Sequence, residues 1–139
     1  MFGGTVDLKY CAVFAVGDDA FDTDNGYQGR GQFLLVVRAD DSDKAHEMDN
    51  ETDGDLDSQP RSHPHFSNVT VISSPVHSED GLRLREGTGG DFRNYILHGA
   101  NDGVRNDENG SEVVTQDLSE AATAGHPDYL YISSSMVMN

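Results

Sequence analysis

The chain has 139 residues and a formal net charge of −16, from nine Lys and Arg against 25 Asp and Glu. This length predicts a single domain over residues 1–139, and the negative charge argues against nucleic acid or an anionic membrane surface as a partner. No segment has the run of about eighteen apolar residues that a membrane-spanning helix needs, and the single cysteine, Cys11, excludes an intrachain disulfide.

The first part of the chain contains two strand-like segments on either side of a turn-rich segment. Thr5–Val16 is rich in Val, Phe and Tyr and predicts one or two consecutive strands. Gly17–Gly31 contains four glycines and predicts a connection. Gln32–Arg38 is almost continuously apolar, which is typical of a strand that neighbours cover on both sides.

Residues 39–65 have a different composition, because Asp and Glu dominate and Met48 and Leu56 are nearly the only large apolar residues. A segment of this kind supplies little to a core. We therefore expect a long acidic loop that projects from the side of the domain.

Short strand-like segments resume after residue 65, and turns rich in Gly, Ser, Pro and Asn separate them. They are Phe66–Ile72, Leu82–Leu84, Phe92–Leu97, Val104, Val113–Val114 and Tyr129–Ile132. Leu118–Ala124 predicts one or two helical turns, which Gly125 and Pro127 would end.

An acidic turn followed by apolar residues recurs three times, beginning at Gly17, Glu79 and Asn101. The last two copies lie 22 residues apart, and Phe66–Ile72 aligns with Phe92–Leu97 at an offset of 26 residues. Periods in the twenties are typical of solenoids, in which each unit buries its apolar face against the next. The repetition therefore predicts stacked rungs.

Several segments resemble one family of known proteins. They are Phe2–Tyr10, Gly17–Asp22, Gly26–Phe33 and Leu82–Gly90. Together they resemble a segment of large secreted bacterial right-handed parallel β-helix proteins of the cell-surface or lipoprotein type, over most of residues 2–110. The resemblance implies an all-β, right-handed parallel β-helix in an extracellular or cell-surface setting, with a fold like that of pectate lyases, but it implies no catalytic residue.

In that family the matching segment lies inside a longer chain. We therefore expect this chain to be a fragment of a longer protein, without its first rungs and export signal, or a subunit that stacks on copies of itself.

Five oxygen-bearing side chains in the first turn-rich segment form a candidate calcium site. They are Asp18, Asp19, Asp22, Asp24 and Asn25. Calcium takes six to eight oxygen ligands, and the alternative is a solvated acidic turn.

A second candidate metal site is closer to the ligand spacing of an EF-hand calcium loop, although Pro60 occupies the position of the Glu that closes such a loop. It consists of Asp49, Glu51, Asp53 and Asp55.

Arg83, Arg85 and Arg105 are candidate glycan-binding residues, because successive rungs can place them on one face. Such a group can bind the carboxylates of uronic-acid sugars. In β-solenoid polysaccharide lyases a basic residue, together with calcium, abstracts a proton α to a carboxylate. The alternative is that these arginines pair with neighbouring carboxylates on a solvated surface.

Three N-x-[ST] sequons make Asn50, Asn68 and Asn109 candidate glycosylation sites, provided that the chain passes through a glycosylating pathway. Asn68 lies in a predicted strand. Its alternative role is a ladder of stacked asparagines with Asn94.

These features favour a non-enzymatic extracellular structural or assembly module, which calcium stabilises and which stacks into a fibre or surface layer. The open ends of a β-solenoid expose unpaired backbone groups and apolar side chains, and stacking covers both. The alternative is a carbohydrate-active β-helix protein, either a calcium-assisted polysaccharide lyase or a binder of acidic glycans. The expected partners are copies of the chain, other surface proteins, or polysaccharide.

Overall fold

The computed structural model describes residues 1–50, 56, 58–76, 79–106, 130–134 and 136–138. These residues contain ten strands and no helix. The strands are β1 (Leu8–Phe14), β2 (Phe21–Thr23), β3 (Arg30–Val37), β4 (His46–Met48), β5 (His65–Ile72), β6 (Leu82–Leu84), β7 (Gly90–His98), β8 (Val104–Asn106), β9 (Leu130–Ser133) and β10 (Met136–Met138). The predicted strand at Val113–Val114 and the predicted helical turns at Leu118–Ala124 lie outside the described residues.

Two parallel sheets organise the fold. The sheet of long strands has the order β1-β3-β5-β7, with both β9 and β10 on β7, and the sheet of short strands has the order β2-β4-β6-β8. Because the chain alternates between the two sheets, each passage through both forms one rung, and consecutive rungs stack in parallel. The predicted all-β parallel β-helix is confirmed. Among the described residues, no helix is long and apolar enough to span a membrane.

The register of the strands confirms the predicted repeat in the second half of the chain. Phe66 lies opposite Phe92, at the predicted offset of 26 residues, and Leu82 lies opposite Val104, at the predicted offset of 22. The first copy of the turn motif is not the direct neighbour of the second. A further rung, which contains β4, lies between them.

The prediction of a continuous loop over residues 39–65 is wrong at His46–Met48, where β4 forms. Ala45, His46 and Met48 are fully buried, so this acidic segment does contribute to the core. Two features concealed the strand. It is only three residues long, and one of its core residues is a histidine, which composition counts as polar.

His46 serves as an aromatic core residue. Its ring packs at 5.1 Å from the ring of Phe21 and at 5.5 Å from the rings of Phe66 and Tyr95. Burial lowers the pKa of His46 to about 3, so the imidazole is neutral at physiological pH. A neutral ring avoids the cost of burying a charge and keeps the aromatic contacts.

The remaining core consists of columns of apolar side chains that occupy the same register position in successive rungs. One column contains Leu34, Val69 and Tyr95, and another contains Val36, Val71 and Leu97, all almost fully buried. In a third column Gly31 lies opposite Phe66, and a Cβ on Gly31 would come within 2.6 Å of the Phe66 ring. The glycine therefore makes room for the phenylalanine in a close-packed interior.

One residue near the middle of each long-sheet rung has a left-handed backbone, and these residues stack in a column that we call the bend column. Its members are Tyr10, Phe33, Asn68, Asn94 and Ser134, with φ between 52° and 59°. The register of the flanking residues places them opposite one another. Each rung turns at this column, so the residues before and after it face different directions.

Side-chain stacking supports the bend column. The rings of Tyr10 and Phe33 stack with centroids 5.0 Å apart and an interplanar angle of 4°. The Asn94 side-chain amide donates to Oδ1 of Asn68 at 3.1 Å. The asparagine ladder predicted for these two residues is therefore confirmed, and asparagine suits the column because it tolerates a positive φ better than most residues.

We expect Asn94→Ala to destabilise the fold more than Asn94→Gly. Both variants lose the hydrogen bond to Asn68, which contributes about 0.5–1.5 kcal/mol. Alanine adds about 1–2 kcal/mol for the left-handed backbone, which glycine adopts freely. Chemical denaturation measures the free energy of unfolding of both variants. An equal loss of unfolding free energy in the two variants would mean that the left-handed backbone does not account for asparagine at this position.

Candidate functional site

The outward face of the short sheet carries three of the predicted site residues, Asp22, Arg83 and Arg105. The middle residues of its strands form a column that we call the charged strip, consisting of Asp22, Glu47, Arg83 and Arg105. In β2, β4 and β6 the residues on either side of these positions are buried, so the middle side chains emerge from the sheet. The strip changes from carboxylates to guanidinium groups along the stack.

The three predicted glycan-binding arginines lie together at the basic end of the charged strip, and each is paired with a carboxylate. Arg83 lies opposite Arg105, and its Nη1 is 3.7 Å from Oδ2 of Asp80. Nη1 of Arg105 is 3.9 Å from Oδ2 of Asp102. The arginines therefore lie on one face and are also paired with neighbouring carboxylates. Glycan binding by these residues stays a prediction.

Arg85 makes the strongest pair at this end. Its Nε and Nη2 donate to the two carboxylate oxygens of Asp49 at 3.0 and 2.7 Å. Burial raises the pKa of Asp49 to about 6, although the hydrogen bonds from Arg85 oppose this change. Burial lowers the pKa of Arg85, but its pairs with Asp49 and Glu47 outweigh burial and raise the pKa overall. Arg85 is therefore held as a cation, which can bind an anion but is poorly suited to accept a proton.

The structure divides the first predicted metal set. The carboxylates of Asp18 and Asp19 converge with that of Asp43, and the three oxygen atoms lie within 4.8 Å of one another. Asp24 lies beyond the other end of β2, is almost fully buried, and accepts a hydrogen bond from the Asn25 amide at 3.0 Å. Asp43 was missed because it belongs to the next rung, and only the register of β2 with β4 reveals that it is a neighbour.

Carboxylates are crowded around Asp19. Burial is the main cause that raises its pKa to about 7, and the neighbouring Glu47 adds to the effect. Lys44 is a cation that opposes this change, and its Nζ lies 3.3 Å from Oε1 of Glu47 and 2.8 Å from Oδ2 of Asp43. A bound cation would favour the ionised form of Asp19, since an opposite charge lowers the pKa of a carboxyl group.

The second predicted metal set has only one member among the described residues. That member is Asp49, and Arg85 already occupies both of its oxygens. Glu51, Asp53 and Asp55 lie outside the described residues.

The prediction of Asn50 as a glycosylation site needs correction. Asn50 is fully buried, and its side-chain nitrogen donates to the backbone oxygens of Leu56 and Ser58 at 3.1 and 3.2 Å. Its Oδ1 accepts a hydrogen bond from the Ser62 backbone at 2.7 Å. The folded chain therefore does not present this nitrogen to a glycosylating enzyme. Of the other two sequons, Asn68 lies in the bend column and Asn109 lies outside the described residues.

A second face carries a groove that the sequence reasoning did not identify. This outer groove has a volume of about 470 Å³ and lies over the part of the long strands that precedes the bend column. Its outward-facing residues form two columns. One column contains Asp7, Arg30, His65 and Asp91, and the other contains Lys9, Gln32, Ser67 and Arg93. These residues are far apart in the sequence, so only the strand register could have grouped them.

Comparison with known proteins agrees with this architecture. Residues 1–126 match the family described as the pectate-lyase like beta helix domain. No curated protein and no solved structure matches the chain. Because the match covers most of the chain and the two sheets stack in parallel rungs, the chain belongs to the pectate-lyase like beta helix domain family.

Proposed function

We propose that this protein is an extracellular structural module that assembles by head-to-tail stacking of its β-helix, as a subunit of a fibre or surface layer. The observation that carries this proposal is that the apolar columns of the core continue to the first and last described rungs, where their side chains are only partly covered. The extracellular location rests on the family, and copies of the chain or other surface proteins are the proposed partners.

The first rung has an open apolar side. Leu8, Cys11 and Val13 are half-buried, whereas Leu34 and Val36 in the next rung are 2% and 1% exposed. Among the described residues, β1 has β3 as its strand partner on one edge. Its other edge therefore offers backbone groups that can pair with a further strand.

The last described rung is open in the same way. Ile132 continues the column of Phe92 and is half-buried, and Val137 continues the column of Leu97 and is 49% exposed. Phe92 and Leu97 themselves are fully buried. The change in exposure therefore follows from position in the stack.

Residues of the first and last described rungs occupy equivalent positions in the register of the long sheet. If the last rung of one copy stacks below the first rung of another, Val137 meets Val13 and Ile132 meets Leu8. Ser134 then lies opposite Tyr10, so both strands bend at the same place. A contact between two different surfaces of the same molecule generates a filament when the rotation between copies does not close a ring, and stacking along the axis of the β-helix does not close one.

We expect wild-type protein to form assemblies that grow with concentration, and Val13→Asp or Val137→Asp to stop growth, because each buries a charge in one end contact. An equimolar mixture of the two variants should form a one-to-one heterodimer, since each retains the end that the other lacks. Analytical ultracentrifugation measures these states.

Ile72→Asp is the matched control, because Ile72 is 42% exposed on the side of the helix rather than at an end. This variant should assemble like wild type. Wild-type protein that stays monomeric at all concentrations would contradict head-to-tail stacking. Dimers in a solution that contains only the Val137→Asp variant would also contradict it.

A second candidate function is binding or cleavage of an acidic glycan on the charged strip. The adjacency of Arg83 and Arg105 favours it, because two guanidinium groups on neighbouring rungs can bind successive carboxylates. The fixed positive charge of Arg85 favours binding over proton abstraction.

In the presence of calcium, we therefore expect the protein to bind polyuronate without cleaving it to unsaturated sugars. Ultraviolet absorbance of the products measures cleavage, and an affinity column measures retention. An absorbance increase that is lost in Arg85→Ala would identify Arg85 as the base and contradict this expectation.

We also propose that calcium binds at Asp18, Asp19 and Asp43 and stabilises the fold. Asp18→Asn/Asp43→Asn should lose the rise in melting temperature that calcium causes, and Asp22→Asn/Asp24→Asn should keep it. A ligand at a hundredfold excess over Kd adds about 2.7 kcal/mol to stability. Magnesium should have a smaller effect, because it prefers a small octahedral site.

The calcium effect should be larger at about pH 8 than at about pH 6. The pKa of Asp19 is about 7, and a ligand carboxyl group must be deprotonated to bind the metal. Thermal unfolding with calcium and with chelator at both pH values measures the difference. If calcium raises the melting temperature of the Asp18→Asn/Asp43→Asn and Asp22→Asn/Asp24→Asn variants equally, the converging carboxylates hold no calcium.

A further inference from the structure

The long sheet carries an uncharged outer surface on the side that follows the bend column. Side chains there alternate between the core and the outside, so two outward-facing columns run along the stack. We call these two columns the apolar face. One consists of Ala12, Leu35, Thr70, Ile96 and Met136, and the other of Phe14, Val37, Ile72, His98 and Met138. None of these residues is Asp, Glu, Lys or Arg, although the chain has a net charge of −16.

The apolar side chains of this face are accessible to solvent. Phe14 is 61% exposed and Met136 is 55% exposed. Ile72 and Ile96, which lie on the rungs between them, are also exposed. A contiguous set of exposed apolar side chains is typical of a surface that contacts another molecule.

We propose that the apolar face binds the same face of a second copy in a neighbouring stack, so that two filaments pair side by side. This inference rests on the head-to-tail stacking proposed above. Contact between two strongly acidic copies through a charged surface would bury ionised groups of like sign, whereas contact through this face buries none. Two sheet faces of this kind can pack about 10 Å apart, as the two sheets of a β-sandwich do.

The apolar face is continuous with the end contact of the proposed filament. Its columns cross every rung of the long sheet, with Phe14 in the first described rung and Met138 in the last, at equivalent positions in the register. Head-to-tail stacking would therefore place Met138 of one copy next to Phe14 of the following copy. The faces of successive copies would join into one apolar stripe along the filament.

The size of the face explains why stacking must come first. Five strands make it about 24 Å long, and two outward positions on each strand make it about 10 Å wide. A pair of single copies would then cover roughly 500 Å² in total, well below the 1,200 Å² or so of a specific interface. Single copies should therefore not pair, but the contacts add along two filaments that are each several copies long.

Thr70→Asp and Ser67→Asp form a matched pair of variants for testing the apolar face. Both replace a half-buried hydroxyl residue of β5 with a carboxylate. Thr70 lies at the centre of the apolar face, whereas Ser67 lies on the other side of the bend column, in the outer groove. Head-to-tail growth should be unchanged in both variants, as in Ile72→Asp, because all three residues lie on the side of the helix.

Scanning transmission electron microscopy measures the mass per unit length of filaments and so distinguishes pairs from single stacks. Wild type and Ser67→Asp should have about twice the mass per length of Thr70→Asp, because a buried carboxylate disrupts the apolar contact. Ile96→Lys should also form single filaments. This variant makes the net charge less negative, so its loss of pairing cannot come from added repulsion, and it provides a second reading if Thr70→Asp does not fold.

Wild-type filaments that stay single would overturn side-by-side pairing and leave head-to-tail stacking intact, whereas protein that forms no filaments would contradict both. Equal loss of pairing in Thr70→Asp and Ser67→Asp would also overturn the proposal, as would pairs that persist in Ile96→Lys. Vesicles of neutral phosphatidylcholine test a different occupant. If single wild-type filaments bind these vesicles and Thr70→Asp does not, the apolar face contacts a lipid surface instead of a second copy.

Discussion

Parallel pairing of the rungs in register is the constraint on which the rest of the molecule depends. Once Phe66 is opposite Phe92, every residue before and after them meets its counterpart in the next rung. The environment of a side chain therefore depends on its column as well as on its neighbours in sequence. The apolar columns and the bend column follow from the register of the long sheet, and the charged strip follows from the register of the short sheet.

The same alignment explains how a chain of charge −16 stays folded. Several carboxylates are paired with a cation from another rung, as Asp49 is with Arg85 and Asp7 is with Arg30. Where burial and a neighbouring carboxylate outweigh the nearby cation, as at Asp19, the carboxyl group retains its proton more strongly. An exposed pair such as Asp7 with Arg30 contributes little by itself, but together the pairs reduce the repulsion that stacking would otherwise create.

The parts of the fold that depend on sequence-local pattern could be predicted, and the parts that depend on register could not. The Phe66 and Phe92 rungs have similar lengths and sequences, so their pairing and the Asn68–Asn94 ladder were foreseeable. Rung length varies from 22 to 36 residues in the short sheet, so no fixed period leads from Asp19 to Asp43 or from Arg30 to His65. The strand containing His46 was hidden because a neutral buried imidazole and a solvated one look alike in a sequence.

The fit of Gly31 against Phe66 has an evolutionary consequence. The two residues share one column, and the absence of a side chain on one rung is what accommodates the ring on the next. Neither position can change size alone without a clash or a cavity. Among related sequences the two sites should therefore covary, with a larger residue at 31 accompanied by a smaller one at 66.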